Sequence, residues 1–162
     1  MAIFTVGTYG YDGVDDLGGQ SFTPNVPGDG SGSPGSATQV FVHTFSLGYP
    51  SASTTHRART IYIYSIKLTD PDQIGQTEYL VAVSSSGSFD DGTGLFGSGT
   101  YQRTFCFSSG ALVPGSKYYA YFDIDQVLRV NSNSSYTGGN AQDADLNDLP
   151  GECAQFQVEM YT

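Results

Sequence analysis

The sequence predicts an all-β protein in which two antiparallel sheets pack as a sandwich. Three observations carry that prediction: alternating apolar and polar segments recur with no helical period, turn formers separate them, and the composition favours strands. Of the 162 residues, 14% are aromatic, with 12 Tyr, 10 Phe and no Trp, and 21 are Gly. Aromatic side chains suit a pleated, half-buried surface, while Gly marks the turns between such surfaces. A chain of this length buries an adequate core as one domain, taken as residues 1–162.

Taken in order, strands are expected near Ala2–Tyr9, Gly19–Pro24, Thr38–Gly48, Arg59–Leu68, Thr77–Ser84, Thr100–Phe107, Lys117–Asp123, Gln126–Val130 and Cys153–Tyr161. In the third, Phe41, His43, Phe45 and Leu47 share one phase, with Val42, Thr44 and Ser46 opposite. In the seventh, Tyr118, Ala120, Phe122 and Ile124 read as core, and Tyr119, Tyr121 and Asp123 as the other face. The last strand sets Ala154, Phe156, Val158 and Met160 against Gln155, Gln157, Glu159 and Tyr161. Half-buried strands of this kind belong to antiparallel sheets with one face in the core. The connections are rich in Gly, Ser, Pro and Asp: the flexible 27–36 loop, the turn starter Asp70-Pro-Asp72, the Gly-rich 84–99 stretch and the long polar 131–151 segment. Eight or nine such strands without helices point to a jelly-roll-like sandwich.

The net charge of −10, with only 6 Lys and Arg, argues against a nucleic-acid partner, because phosphate binding needs clustered cations. It also opposes binding to anionic lipid, and no apolar run approaches the ~20 residues that span a bilayer. The first residues lack the basic and apolar regions of a signal peptide. Catalysis has little to build on: the histidines are His43, in a strand, and His56, in a turn, and there is no Gly-x-Ser-x-Gly elbow. The expectation is a protein that is not an enzyme and needs no cofactor.

Several residues are candidates for contacts. Tyr119 and Tyr121 either stack on sugar rings or lie beneath a loop, with Arg129 as a further ligand-binding candidate. Asp123, Asp125, Asp143 and Asp145 are either calcium ligands or solvated loop carboxylates, and the spacing of a dedicated calcium loop is absent, so no metal is expected. His56, Arg57 and Arg59 form a basic spot on an acidic chain, suited to docking on a partner or another copy. The apolar N-terminal strand, with Phe4, is expected to add to a neighbour as an edge. Cys106 and Cys153 share the polar phase of their strands, so they either pair as a disulfide or stay reduced.

Three stretches carry a resemblance: Gly19-Gln-Ser-Phe-Thr-Pro24; Leu112-Val-Pro-Gly-Ser-Lys-Tyr-Tyr-Ala-Tyr121 with Tyr136-Thr-Gly-Gly-Asn-Ala141; and Cys153-Ala-Gln-Phe-Gln-Val-Glu-Met160. Together they resemble a group of bacterial jelly-roll modules found on secreted, cell-surface and virion proteins. The resemblance implies that the first stretch opens the sandwich, that the Pro-Gly turn feeds a central strand, and that the Tyr-x-Gly-Gly loop precedes the final strand. Some such modules resemble carbohydrate-binding modules with a structural calcium held by an aspartate near the final strand, where this chain has Glu152. Two functions follow as expectations. One is a structural accessory protein docking on a capsid, tail or filament, such as a virion decoration or cement protein at a particle surface. The other is a carbohydrate-binding or adhesion module that recognises glycans.

Overall fold

The computed structural model describes residues 3–8, 10–25, 38–51, 57–90, 96–97 and 99–162. Along the chain they form β1 (Ile3–Thr8), β2 (Gly13–Phe22), β3 (Val40–Tyr49), β4 (Ile61–Tyr64), β5 (Leu80–Val83), β6 (Ser88–Asp90), β7 (Tyr101–Cys106), β8 (Ala111–Leu112), β9 (Tyr118–Asn131), β10 (Ala141–Gln142), β11 (Asp148–Leu149), β12 (Cys153–Ala154) and β13 (Phe156–Tyr161). Among the described residues a 3-10 turn, Pro71–Gln73, interrupts them. One sheet runs β1-β13-β3-β7-β6, with β8 on β3; the other runs β11-β10-β2-β9-β4-β5, with β12 on β9.

The long pairings are nested. β1 pairs the last strand β13, β2 pairs β9, β3 pairs β7, and β4 pairs β5, all antiparallel. The chain therefore behaves as one long hairpin rolled up, closed by β13 on β3 and by β9 on β4. Rolling places β1 and β3 in the first sheet and β2 and β4 in the second, so the apolar faces of the two sheets meet across the core.

That core is aromatic. Phe45 of the first sheet meets Phe22 of the second edge-on at 5.9 Å between ring centres and lies stacked on Phe156 at 5.6 Å. All three rings are fully buried, and burying a side chain of this size contributes about 2–3 kcal/mol.

Several sequence expectations change here. The 13–18 stretch is strand, so β2 begins earlier than Gly19. The segments expected as two strands, 117–123 and 126–130, are one continuous β9. In β3 the apolar phase switches: Val40 and Val42 are buried, then Phe45 and Leu47. The cause is a bulge, since Glu159 pairs Thr44 while Met160 pairs Val42, leaving His43 as the extra residue. His43 is consequently exposed, edge-on to Tyr161, and does not share a face with Phe45.

The N-terminal strand is not a free arm. β1 pairs with β13 over its whole length, and Phe4 is in the core at 7% exposure, so in the single chain Phe4 is a core residue and not an exposed contact. Cys106 and Cys153 are both free, the first exposed on β7 and the second buried on β12 in the other sheet. A shared phase does not imply a shared sheet, and the disulfide is not formed.

Candidate functional site

The outer face of the second sheet carries a second apolar cluster of Tyr64, Tyr121, Leu68 and Leu146, flanked by Tyr62, Tyr119, Ile74 and Leu80. Alternation forces this: with Tyr118, Ala120 and Phe122 turned into the main core, Tyr119 and Tyr121 point outward. Two loops roof the cluster. In the 65–79 loop, Asp70 caps the Pro71–Gln73 turn, and the Gln73 side chain accepts the Thr69 and Asp70 amides at 2.9 and 3.0 Å. The Tyr121 hydroxyl accepts the Leu68 amide at 2.9 Å, and the Tyr64 hydroxyl donates to the Gln76 carbonyl at 2.7 Å. Desolvation accordingly pushes the Tyr121 hydroxyl up to about 12.

The second roof is the 143–147 loop, where Asp143 Oδ1 accepts the Asp145 and Asn147 amides, both at 2.9 Å. Leu146 holds a left-handed backbone (φ 66°) there and is driven into the tyrosine cluster, its burial offsetting the strain. This loop approaches closely because β2 has Gly18 beneath it: a Cβ at Gly18 would lie 2.6 Å from the Asp143 carbonyl oxygen.

Opposite Gly18 the ladder between β2 and β9 breaks. Leu17 pairs Gln126 and Gly19 pairs Tyr121, so one residue of β2 faces four of β9; Phe122 stays in the main core, paired with Ile61 of β4, and Asp123–Asp125 bulge outward. Between the bulge and the two roofs lies a depression of about 210 Å3, lined by Gly18, Phe122, Leu146, Ile74, Pro71 and Ala144 on the apolar side and by Asp123 and Asp125 at its lip. Ile124, expected in the core, instead stands 42% exposed between the two aspartates. Asp16, on β2, hydrogen-bonds Asp125; partial burial, then that bond and the like charge of Asp125, raise the Asp16 carboxyl above its usual range.

A second group of carboxyls lies around the start of β2. Asp12 accepts the Ser132 hydroxyl and amide at 2.6 and 3.0 Å, which holds it below the ordinary range. Glu152 is pushed up to about 7 by burial, by the charge of Asp15 and by a hydrogen bond with it.

The sequence-predicted residues are distributed unevenly over this geometry. Asp123 and Asp125 belong to the depression, and Asp123 also accepts the Arg59 amide at 2.9 Å. Asp143 is occupied within its own loop and Asp145 is exposed. Among the described residues no group of three His, Cys, Asp or Glu is arranged to hold a metal ion. Tyr121 is fully buried and unable to meet a sugar face, whereas Tyr119, parallel to it at 6.4 Å, is half-exposed.

Arg129 Nη1 donates to the Thr100 hydroxyl at 2.7 Å, and its guanidinium lies 4.2 Å over the Tyr11 ring, so it pins the 99–100 turn and is committed within the fold. Arg57 is buried over the Tyr49 ring, 3.5 Å from its centre, and donates to the Ser51 carbonyl; desolvation lowers it to about 10. It is a packing residue and not a surface cation. Arg59 is exposed, and His56 lies outside the described residues. Asp16, Gly18 and Ile124 were not singled out as site residues from the sequence; the Gly18-Gly19 pair inside a strand is the signal for a bulge or close approach.

Comparison with family models, with curated proteins and with solved structures finds no match to the chain.

Proposed function

We propose that the chain is a non-enzymatic docking module of a larger assembly, a decoration, cement or tail accessory protein at a virion or particle surface, built on a jelly roll. Supporting the jelly roll is the nested pairing, first strand with last and each following pair inside it. Supporting a docking role is one observation above all, the outward bulge in the central strand β9. A break in a central ladder leaves backbone groups outside the sheet pairing, and here it projects an exposed isoleucine between two carboxylates over an apolar floor. An apolar contact ringed by carboxylates suits a lysine- or arginine-bearing segment, whose charged head meets Asp16, Asp123 and Asp125 while its stem lies on Ile74 and Leu146. The net charge of −10 steers such a partner in from a distance.

The experiment is fractionation. A tagged chain expressed in its source should sediment with an assembly at low salt and be released at high salt; a chain that remains with free protein at every salt concentration would remove the proposal. Carbohydrate recognition is the second reading, favoured by the same carboxylates, which could accept hydrogen bonds from adjacent sugar hydroxyls. Salt-insensitive binding on a glycan array would select it.

A further inference from the structure

The depression is not the only surface prepared for contact. β1 stands at the end of its sheet, paired on one side with β13 and, among the described residues, with no strand on the other. Its sequence Ile-Phe-Thr-Val-Gly-Thr has no charge and no proline, the two devices that usually guard an edge. An unguarded antiparallel edge is a template for another strand.

We propose that this edge joins two copies of the chain, β1 of each pairing antiparallel with β1 of the other about a two-fold axis, so that the two first sheets become one. The alternation of β1 fixes which registers are allowed. Phe4 and Val6 face inward and Ile3 and Thr5 face outward. Only a register that matches inward with inward preserves both cores, and placing Thr5 opposite Thr5 does so. Phe4 of each copy then covers Val6 of the other, a residue packed on the core yet left only half-buried in the single chain. Outside, Ile3 lies over Gly7 of the second copy, where no side chain competes.

A second copy is the occupant that this chemistry selects. An antiparallel strand is complementary to itself under a two-fold axis, so no other sequence is needed. Charge points the same way. The outward row from Ile3 through Tyr161 to Phe41 is uncharged, with Phe41 and Tyr161 stacked at 5.8 Å, and in the row at the axis, Thr5, Glu159 and Thr44, the carboxylate stands one strand back from the edge and accepts the Thr44 hydroxyl. In a chain of net −10, two copies can meet here without burying a carboxylate against a carboxylate. Their long-range repulsion remains, so added salt should strengthen association, whereas it weakens docking through the acidic depression. The two surfaces therefore respond to salt in opposite senses, and one proposal can fail without the other.

Sedimentation velocity of the full chain tests the edge. Dimer is expected to grow with protein concentration and with salt, and amide exchange in residues 3–8 should slow as it does. Ile3→Lys with Thr5→Lys places like charges across the axis on side chains that are exposed in the single chain, Ile3 at 61%, and the new cation at position 5 faces Glu159 of its own chain instead of repelling it. It should leave the melting temperature of the monomer unchanged and abolish the dimer. A chain that stays monomeric at high concentration and high salt, a dimer with unprotected β1 amides, or a dimer that survives the double substitution would each overturn the proposal.

Discussion

The Tyr136 hydroxyl accepts the Thr23 amide at 3.0 Å, and the Thr23 hydroxyl donates to the Gly138 carbonyl at 2.6 Å. Around this link the 19–24, 112–121, 136–141 and 153–160 stretches come together. Ser21 bonds Asn140 through both backbone and hydroxyl, Gln20 accepts the Ala154 amide at 2.9 Å, and the Gly115 amide donates to the Pro24 carbonyl at 2.8 Å. A Cβ on Gly139 would overlap the Ser21 carbonyl oxygen. The short sequence signals are thus parts of one packing knot that locks the 136–141 loop onto the end of β2.

Two substitutions measure the knot. Tyr136→Phe should cost about 1–2 kcal/mol, because it strands the Thr23 amide without a partner. Gly139→Ala should cost about 3 kcal/mol or more, since backbone and not a flexible side chain must move. Urea unfolding reads both, and near-wild-type stability of Gly139→Ala would contradict the close approach.

The two faces of β9 should be almost equally sensitive to truncation. Phe122→Ala opens the main core and should cost about 3–5 kcal/mol. Tyr121→Ala opens the second cluster under its roof and should cost a similar amount, where the sequence alone predicts much less. Tyr121→Phe isolates the hydroxyl and should lose only about 1 kcal/mol, the Leu68 amide losing its acceptor. Thermal melts that show Tyr121→Ala to be harmless would mean that the 65–79 loop does not cover this face.

Glu152 gives stability a pH dependence of defined sign. Its folded value of about 7 stands above the ordinary 4.5, so the folded chain holds the proton more tightly. That contribution is complete below pH 4.5 and is lost as pH rises through about 7. Glu152→Gln should remove the loss and make the chain more stable than wild type above pH 7, by on the order of 1 kcal/mol once solvent screening is allowed for. Melting curves on either side of that window check it; a variant less stable than wild type at high pH would show that Glu152 is held by a cation instead of repelled by Asp15.

Much of the fold is legible because alternation is a local property. The inward phases of β9 and β13 follow directly from Tyr118, Ala120 and Phe122 and from Phe156, Val158 and Met160. What alternation does not carry is the point where a strand slips. The bulge at His43 shifts the inward phase of β3, while the bulge in β9 leaves the phase of that strand intact on both sides and only carries Ile124 out of the core between Phe122 and Gln126. Nor does a phase say what covers a face: Tyr121 is buried by residues some fifty positions away, through Leu68. Arg57 shows the same gap, a cation that looks free in sequence and lies on Tyr49 in space. The depression is half visible in the sequence, through Asp123 and Asp125 and not through Gly18 or Ile124, because the site exists only where two strands fall out of register.

The docking account rests on the carboxylates at the bulge, and Asp16 and Asp125 can be changed without opening the core. Asp16→Asn with Asp125→Asn keeps the shape, removes two like charges held at hydrogen-bonding distance, and should leave stability unchanged or slightly raised. The measurement is co-sedimentation of wild type and this double variant with the particle fraction at low salt. Wild type in the particle fraction, and a fully folded variant left with free protein, is the predicted result. A variant that sediments with the particles as well as wild type does would contradict the claim that the depression is the docking site.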